Sequence, residues 1–176
     1  MSQELNRDRD VCHGCSEKCC LFPTETNTNA VLSLNEIAKI EHVIGHSDFY
    51  EEKKSRYGDD VYYRLKSIAG SCCFYNQQDQ KCTIYEVRPL DCRLYPFDFT
   101  TFDVGQGDIW ILNNCLLSQD VDEAAVEKML DYFECNYAEE IAENLHSEDS
   151  SFVELLKKSD GFRKLRNVKL PPSSPK

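Results

Sequence analysis

Apolar positions along this chain change their spacing several times, and each change predicts a different element. From residue 34 onward, Leu34, Ile37, Ile40 and Ile44 recur every three or four residues, which gathers them on one face of a helix. Ser33-x-x-Glu36 supplies a capping box at its start, and Gly45 a stop at its end. A second, more polar helix is predicted from Ser47 or Asp48 to about Tyr57, stopped by Gly58. Asp60–Ile68 alternates loosely and predicts a strand. The β-prone runs Cys73–Tyr75 and Cys82–Tyr85 flank a polar turn, Asn76–Lys81, and predict a short hairpin. Arg88-Pro89 then stops any strand and redirects the chain. Phe97–Val104 and Asp108–Leu112 are rich in aromatic and β-branched residues around Gly105-Gln106-Gly107, predicting a second hairpin. After Asp120-x-x-Glu123, the residues Val126, Met129, Leu130, Phe133, Tyr137, Ile141 and Leu145 form one continuous apolar stripe, the mark of a long amphipathic helix. Ser147–Ser151 breaks it, Phe152–Lys158 predicts a short last helix, and LPPSSPK reads as disordered.

The sum is an α+β chain of short hairpins and several helices. It divides into a flexible lead-in (1–11), a cysteine-rich domain (12–117), a helical extension packed on it (118–160) and a basic disordered tail (161–176). At 176 residues with 41% hydrophobic content, the core is adequate for one domain and not generous. The opening MSQELNRDRD is polar and charged, so no signal peptide is expected, and runs such as Ile109–Leu112 are too short to span a membrane. A cytoplasmic setting follows, in which ten cysteines are not a disulfide framework. The formal charge of −11 argues against general nucleic-acid binding. Residues 157–176 nevertheless hold seven Lys/Arg against one Asp. That excess reads as a solvated terminus, with docking on an anionic partner as the alternative.

The cysteines carry the chemistry. Cys12-His13-Gly14-Cys15 lacks the preceding strand of a redox dithiol, and Ser16 stands where a haem-attachment site needs His. A metal knuckle needs only a turn, which Gly14 supplies, and Cys19 and Cys20 follow at once. Cys73, Cys82 and Cys92 converge from the hairpin and the turn after it. Neighbours in extended chain point to opposite faces, so the pairs Cys19-Cys20 and Cys72-Cys73 are each expected to divide. Cys135 points away from the apolar stripe of its helix at ~100° per residue and is expected in solvent. His13, His42, His46 and His146 read as surface groups. Four thiolates on a divalent ion leave negative charge, which Arg88 and Arg93 are placed to offset, with Tyr85, Tyr95 and Phe97 as shielding aromatics.

The pattern Cys73-x8-Cys82-x-Ile84-Tyr85-x2-Arg88-Pro89-x2-Cys92-Arg93-x-Tyr95-Pro96 resembles the core of the YkgJ-like cysteine-cluster family, a zinc- or iron-chelating domain of CxxCxxxCC type. Cys12-x2-Cys15-x3-Cys19-Cys20 and Leu34-x-Glu36-Ile37 fit the same family, and Cys115 fits its last ligand position. The resemblance implies a ligand set of Cys12, Cys15, Cys19, Cys20, Cys73, Cys82, Cys92 and Cys115, enough for two four-thiolate centres. It leaves Cys72 outside, as a small buried hydrophobe.

All-thiolate ligation suits both zinc and iron–sulfur. The close thiols at 12–20 favour iron–sulfur slightly, although neither ferredoxin spacing is matched. The resulting expectation is a metal-binding protein acting in electron transfer, redox sensing or metal handling. Two alternatives stand beside it. One is a cluster-dependent enzyme acting on protein side chains, since the resemblance extends to the cysteine domain of flagellin lysine methylases. The other is a zinc-stabilised module that docks a protein partner.

Overall fold

The computed structural model describes residues 20–21, 29–54, 61–102, 107–114, 118, 121–144 and 161–170. Within them the chain is α+β, with helices and short antiparallel strands in four small sheets. The first half opens with β1 (Val31–Leu32) and α1 (Leu34–Ile44). Ser33 caps α1 through the predicted box, and Gly45 ends it at φ 80°, a left-handed conformation. β2 (Tyr50–Lys54) and β3 (Val61–Leu65) complete a sheet of order β1-β3-β2. Leu32, Ile37, Ile40, Phe49, Leu65, Phe74 and Ile84 fill the core beneath it.

Two small hairpins follow: β4 (Ser67–Ile68) with β5 (Ser71–Cys72), and β6 (Tyr75–Asn76) with β7 (Lys81–Cys82). The second is the predicted one, its loop tied by Asn76 Oδ1, which accepts the Gln78 and Asp79 N–H groups. A 3-10 turn (Tyr85–Val87) leads into α2 (Leu90–Leu94), which starts on Pro89. β8 (Phe97–Thr100) and β9 (Ile109–Asn113) form the other predicted hairpin. α3 (Glu123–Asn136) and α4 (Ala138–Asn144) pack across it. The second core comprises Leu90, Leu94, Phe97, Trp110, Leu112, Val126, Leu130, Phe133 and Ile141. Trp110 is fully buried and donates its indole N–H to Glu134 at 2.8 Å. No described helix is long and apolar enough to cross a membrane.

Three expectations are corrected. Residues 50–54 are strand β2 and not helix: every one of them pairs with β3, from Tyr50↔Leu65 to Lys54↔Val61. That polar stretch has no apolar stripe to bury as a helix, whereas a strand lets the single apolar anchor Phe49 enter the core at 1% exposure. The long helix is two helices. It starts from Asp122, whose carboxylate accepts the Ala125 N–H, and it breaks at Tyr137. The Asn136 side-chain amide reaches back to the Tyr132 carbonyl at 2.7 Å, a local bond that competes with helix continuation. Ile141 on α4 still reaches the same core.

Finally, residues 162–167 are strand β10, paired with β9 at the edge of a β10-β9-β8 sheet, and not a disordered tail. Leu165, Val168 and Leu170 pack on the second core, and Phe162 stacks on Phe102. The basic charge is met by acid: Arg166 pairs with Glu127, Asp131 and Glu134 on α3. The predicted short helix at 152–158 and the end from 171 lie outside the described residues.

Candidate metal centre

Strand β5 is set by a tight two-residue turn. Ile68 pairs with Ser71, leaving only Ala69 and Gly70 in the loop. Both have positive φ, 50° and 77°, as a two-residue primed turn requires, and Gly70 takes that conformation without a Cβ penalty. On the other side of β5 the end of the N-terminal cysteine block adds as a further antiparallel segment. Leu21 bridges to Ser71, and the Cys72 N–H donates to the Cys20 carbonyl at 2.9 Å. The two cysteine blocks, about fifty residues apart in sequence, therefore meet backbone to backbone at Cys20 and Cys72.

The strand ends at Cys72, and the chain turns. The Cys73 N–H donates to the Lys66 carbonyl at 3.1 Å, and its thiol donates to the Phe49 carbonyl at 3.5 Å. Cys72 and Cys73 both pack with Cys82 on the first core. Cys82 is fixed opposite Tyr75 in the next hairpin. The Cys73 thiol is held below its ordinary pKa, first by the hydrogen bond from Cys72, then by backbone N–H groups and the Lys66 ammonium, against partial burial. Lys66 itself is paired with Asp48. A partly exposed thiol with hydrogen-bond donors and a cation beside it gives up its proton readily, which is what a metal requires of a ligand.

Cys92 sits in the middle of α2. Two carboxylates hold that helix from below: Glu36 accepts the Leu90 N–H at 2.6 Å, and Asp91 accepts the Val31 N–H at 2.8 Å. Burial pushes the Asp91 carboxyl up to about 6, with the Glu36 charge adding and the Val31 N–H and Arg64 opposing. Burial likewise pushes Asp98 up to about 8, with Asp91 adding and the Phe99 N–H and Arg64 opposing. Arg88 lies over the Tyr85 ring at 4.0 Å. Arg93 turns instead to α4, where it pairs with Glu140 at 3.0 Å and covers Tyr137.

Among the described residues, no three His, Cys, Asp or Glu side chains enclose an ion site. Cys12, Cys15, Cys19 and Cys115 lie outside the described residues, as do His13 and His146. Cys135 is exposed, as its helical position predicts, and His42 and His46 are exposed as well. One neighbour escapes a reading of spacing alone: Lys66 reaches Cys73 only because the Ala69-Gly70 turn folds the chain back. Cys72, which the family's spacing leaves out, packs partly buried against the first core. The donor set fits a thiophilic metal: half-buried thiols, one of them held below its ordinary pKa, with Cys20 meeting them from the N-terminal cysteine block.

Comparison with known proteins agrees with this chemistry. Residues 11–129 match the CxxCxxCC family, described as "Putative zinc- or iron-chelating domain". The chain belongs to that family. An uncharacterized protein of Methanocaldococcus jannaschii is 33% identical over 104 residues, covering 55% of this chain and 52% of the relative. The chain thus spans about half the length of that curated relative. No solved structure matches it.

Proposed function

We propose that this protein holds a thiolate-ligated metal centre assembled from its two cysteine blocks and works in electron transfer, redox sensing or metal handling in the cytoplasm. Cys12, Cys15, Cys19, Cys20, Cys73, Cys82, Cys92 and Cys115 are its ligands in this reading, with Arg88 and Tyr85 as flanking groups. The observation that carries it is the antiparallel meeting of Cys20–Leu21 with Ser71–Cys72. A chain with no metal to organise gains little from laying one cysteine-rich loop against another, because loosely packed loops bury little apolar surface.

Between the two metals, iron–sulfur is favoured over zinc by the crowding of thiols at 12–20, which suits a multinuclear cluster better than one tetrahedral ion. The test is anaerobic purification followed by iron, acid-labile sulfide and zinc analysis. Iron and sulfide in equal amounts, with visible absorbance, support the cluster. Colourless protein with stoichiometric zinc keeps the centre and removes the redox role. Protein that binds neither metal after reconstitution refutes the reading.

A further inference from the structure

We infer that β2 is an interaction edge for a second copy of this chain: the two β2 strands pair antiparallel about a twofold axis at Glu52 and join their sheets into one. The inference stands apart from the metal-centre reading and uses none of its ligands. It starts from what guards the other sheet edges. The two three-stranded sheets end on β1, β2, β8 and β10. β1 has only two residues, and its Val31 N–H is taken by the Asp91 carboxylate at 2.8 Å. β8 has its Phe99 N–H held by the Asp98 carboxylate at 2.7 Å. β10 carries Arg163 and Lys164, both exposed, and would repel a copy of itself. β2 is five residues long, and among the described residues it pairs with β3 alone. Its guard is charge, which turns away other strands. A strand whose charges run in the complementary order is the exception, and its own copy is such a strand.

Register decides which groups β2 offers. Tyr50 pairs with Leu65, but the Leu65 N–H donates to the Ala30 carbonyl on the far side, so this pair exchanges no bonds. The Lys66 N–H donates to the Phe49 carbonyl at 2.8 Å, one step back along the ladder. Alternation then turns the N–H and C=O groups of Tyr50, Glu52 and Lys54 away from β3. A twofold axis at Glu52 sets Tyr50 opposite Lys54 of the second copy and matches every outward group. On one face it sets Glu51 opposite Lys53 of the second copy, and Lys53 opposite Glu51. These two already pair within the strand at 2.9 Å, so the dimer closes a ring of alternating charges. On the other face Glu52 meets its own copy, with Lys54 of each chain on the diagonal. The strand thus holds two acids and two bases. On a chain of net charge −11 it is a neutral stretch where two copies approach without local repulsion.

The experiment follows the mass of the full chain, 20.3 kDa, by light scattering and sedimentation over a concentration series. It is run anaerobically with reductant, so that no disulfide links two copies. Wild type is expected to move from one chain mass to twice that mass. Glu52→Pro removes one outward donor from each copy and leaves the pairing with β3 in place, as a proline on an edge strand can. It is expected to weaken association at least about tenfold. Glu51→Lys and Lys53→Glu each set like charges opposite one another, and each is expected to stay monomeric alone. Mixed, the two are expected to form a one-to-one dimer, because each supplies the charge that the other lacks. Recovery on mixing also rules out misfolding as the cause of the loss. A wild-type chain that stays monomeric throughout the series overturns the inference. So does a dimer that Glu52→Pro leaves unweakened, or a mixture that stays monomeric while both charge variants keep the wild-type circular dichroism.

Discussion

Glu36 closes two contacts at once, and replacing it should weaken both. The residue is 4% exposed. One oxygen accepts the Ser33 N–H at 2.9 Å and completes the capping box of α1. The other accepts the Leu90 N–H at 2.6 Å and docks the start of α2, the helix that bears Cys92. Glu36→Ala leaves the Leu90 N–H buried without its acceptor, at about 1–3 kcal/mol, and removes half of the box, at about 0.5–1 kcal/mol. The relief of the Glu36 charge on Asp91 offsets a little of this. A net loss of about 2–3 kcal/mol is expected. Glu36→Gln should recover only part, because its NH2 end must face one of the two N–H donors. Ser33→Ala separates the roles: it removes the bond from the Glu36 N–H but leaves Leu90 satisfied, and should cost about 1 kcal/mol. Denaturant unfolding of the metal-free chain, followed by Trp110 fluorescence, measures all three. A Glu36→Ala chain within about 0.5 kcal/mol of wild type, the noise of a neutral surface change, would refute the account of how α2 is held.

Other expectations follow from the same contacts. Asp98 binds its proton more tightly folded, at about 8, than unfolded, near 3.8. Its contribution is therefore fully present below pH ~4 and is lost as pH rises through ~8. Asp98→Asn, which keeps an acceptor for the Phe99 N–H, should flatten that decline and stabilise the metal-free chain by roughly 1–3 kcal/mol at pH 8; superimposable melting curves from pH 5 to 9 would contradict it. Arg166→Ala should cost about 3 kcal/mol in denaturant unfolding by leaving the buried Glu134 carboxylate without its cation, and adding Glu134→Gln should restore part of it; if the single variant is neutral, β10 is not clamped as described. Cys82→Ser and Cys92→Ser should each lower metal content and the melting temperature of the loaded protein, while Cys135→Ser changes neither; full metal content in Cys82→Ser would remove it from the ligand set.

The elements that announced themselves were those whose signal is local. α1 has its stripe, its box and its glycine within a dozen residues. The β6–β7 hairpin has two β-prone arms and a polar, Gln-rich loop, and the β8–β9 hairpin has its glycines. What stayed hidden depends on partners far along the chain. Tyr50–Lys54 is a strand because β3 pairs with it, not because of its own composition. Phe162–Asn167 looked like a charged tail because its lysines and arginines dominate the count. Its sparse apolar residues, and the acids of α3 that meet Arg166, make it the edge of a sheet. The same holds at the site. The spacing of cysteines singles out Cys20, Cys73, Cys82 and Cys92, but it does not show that Cys20 meets Cys72 backbone to backbone. Nothing in the order of residues linked Lys66 to Cys73, or Asp98 to Asp91.

α2 shows how a five-residue helix can matter to a metal centre. A helix that short has no stability of its own, so its position is set by what grips it. Glu36 and Val31, at the edge of the first core, hold its N-terminal turn. Leu90 and Leu94 are sunk in the second core, and Arg93 reaches α4 through Glu140. Cys92 lies between these anchors, on a short element held from both cores. A sulfur so mounted cannot shift without disturbing packing on two sides, because close-packed interiors transmit displacement instead of absorbing it. A ligand taken from this helix would thus be sensed by the β8–β10 sheet as well as by the thiols of β5. In the proposed centre, Cys92 would therefore couple the cysteine blocks to the β8–β10 half of the molecule.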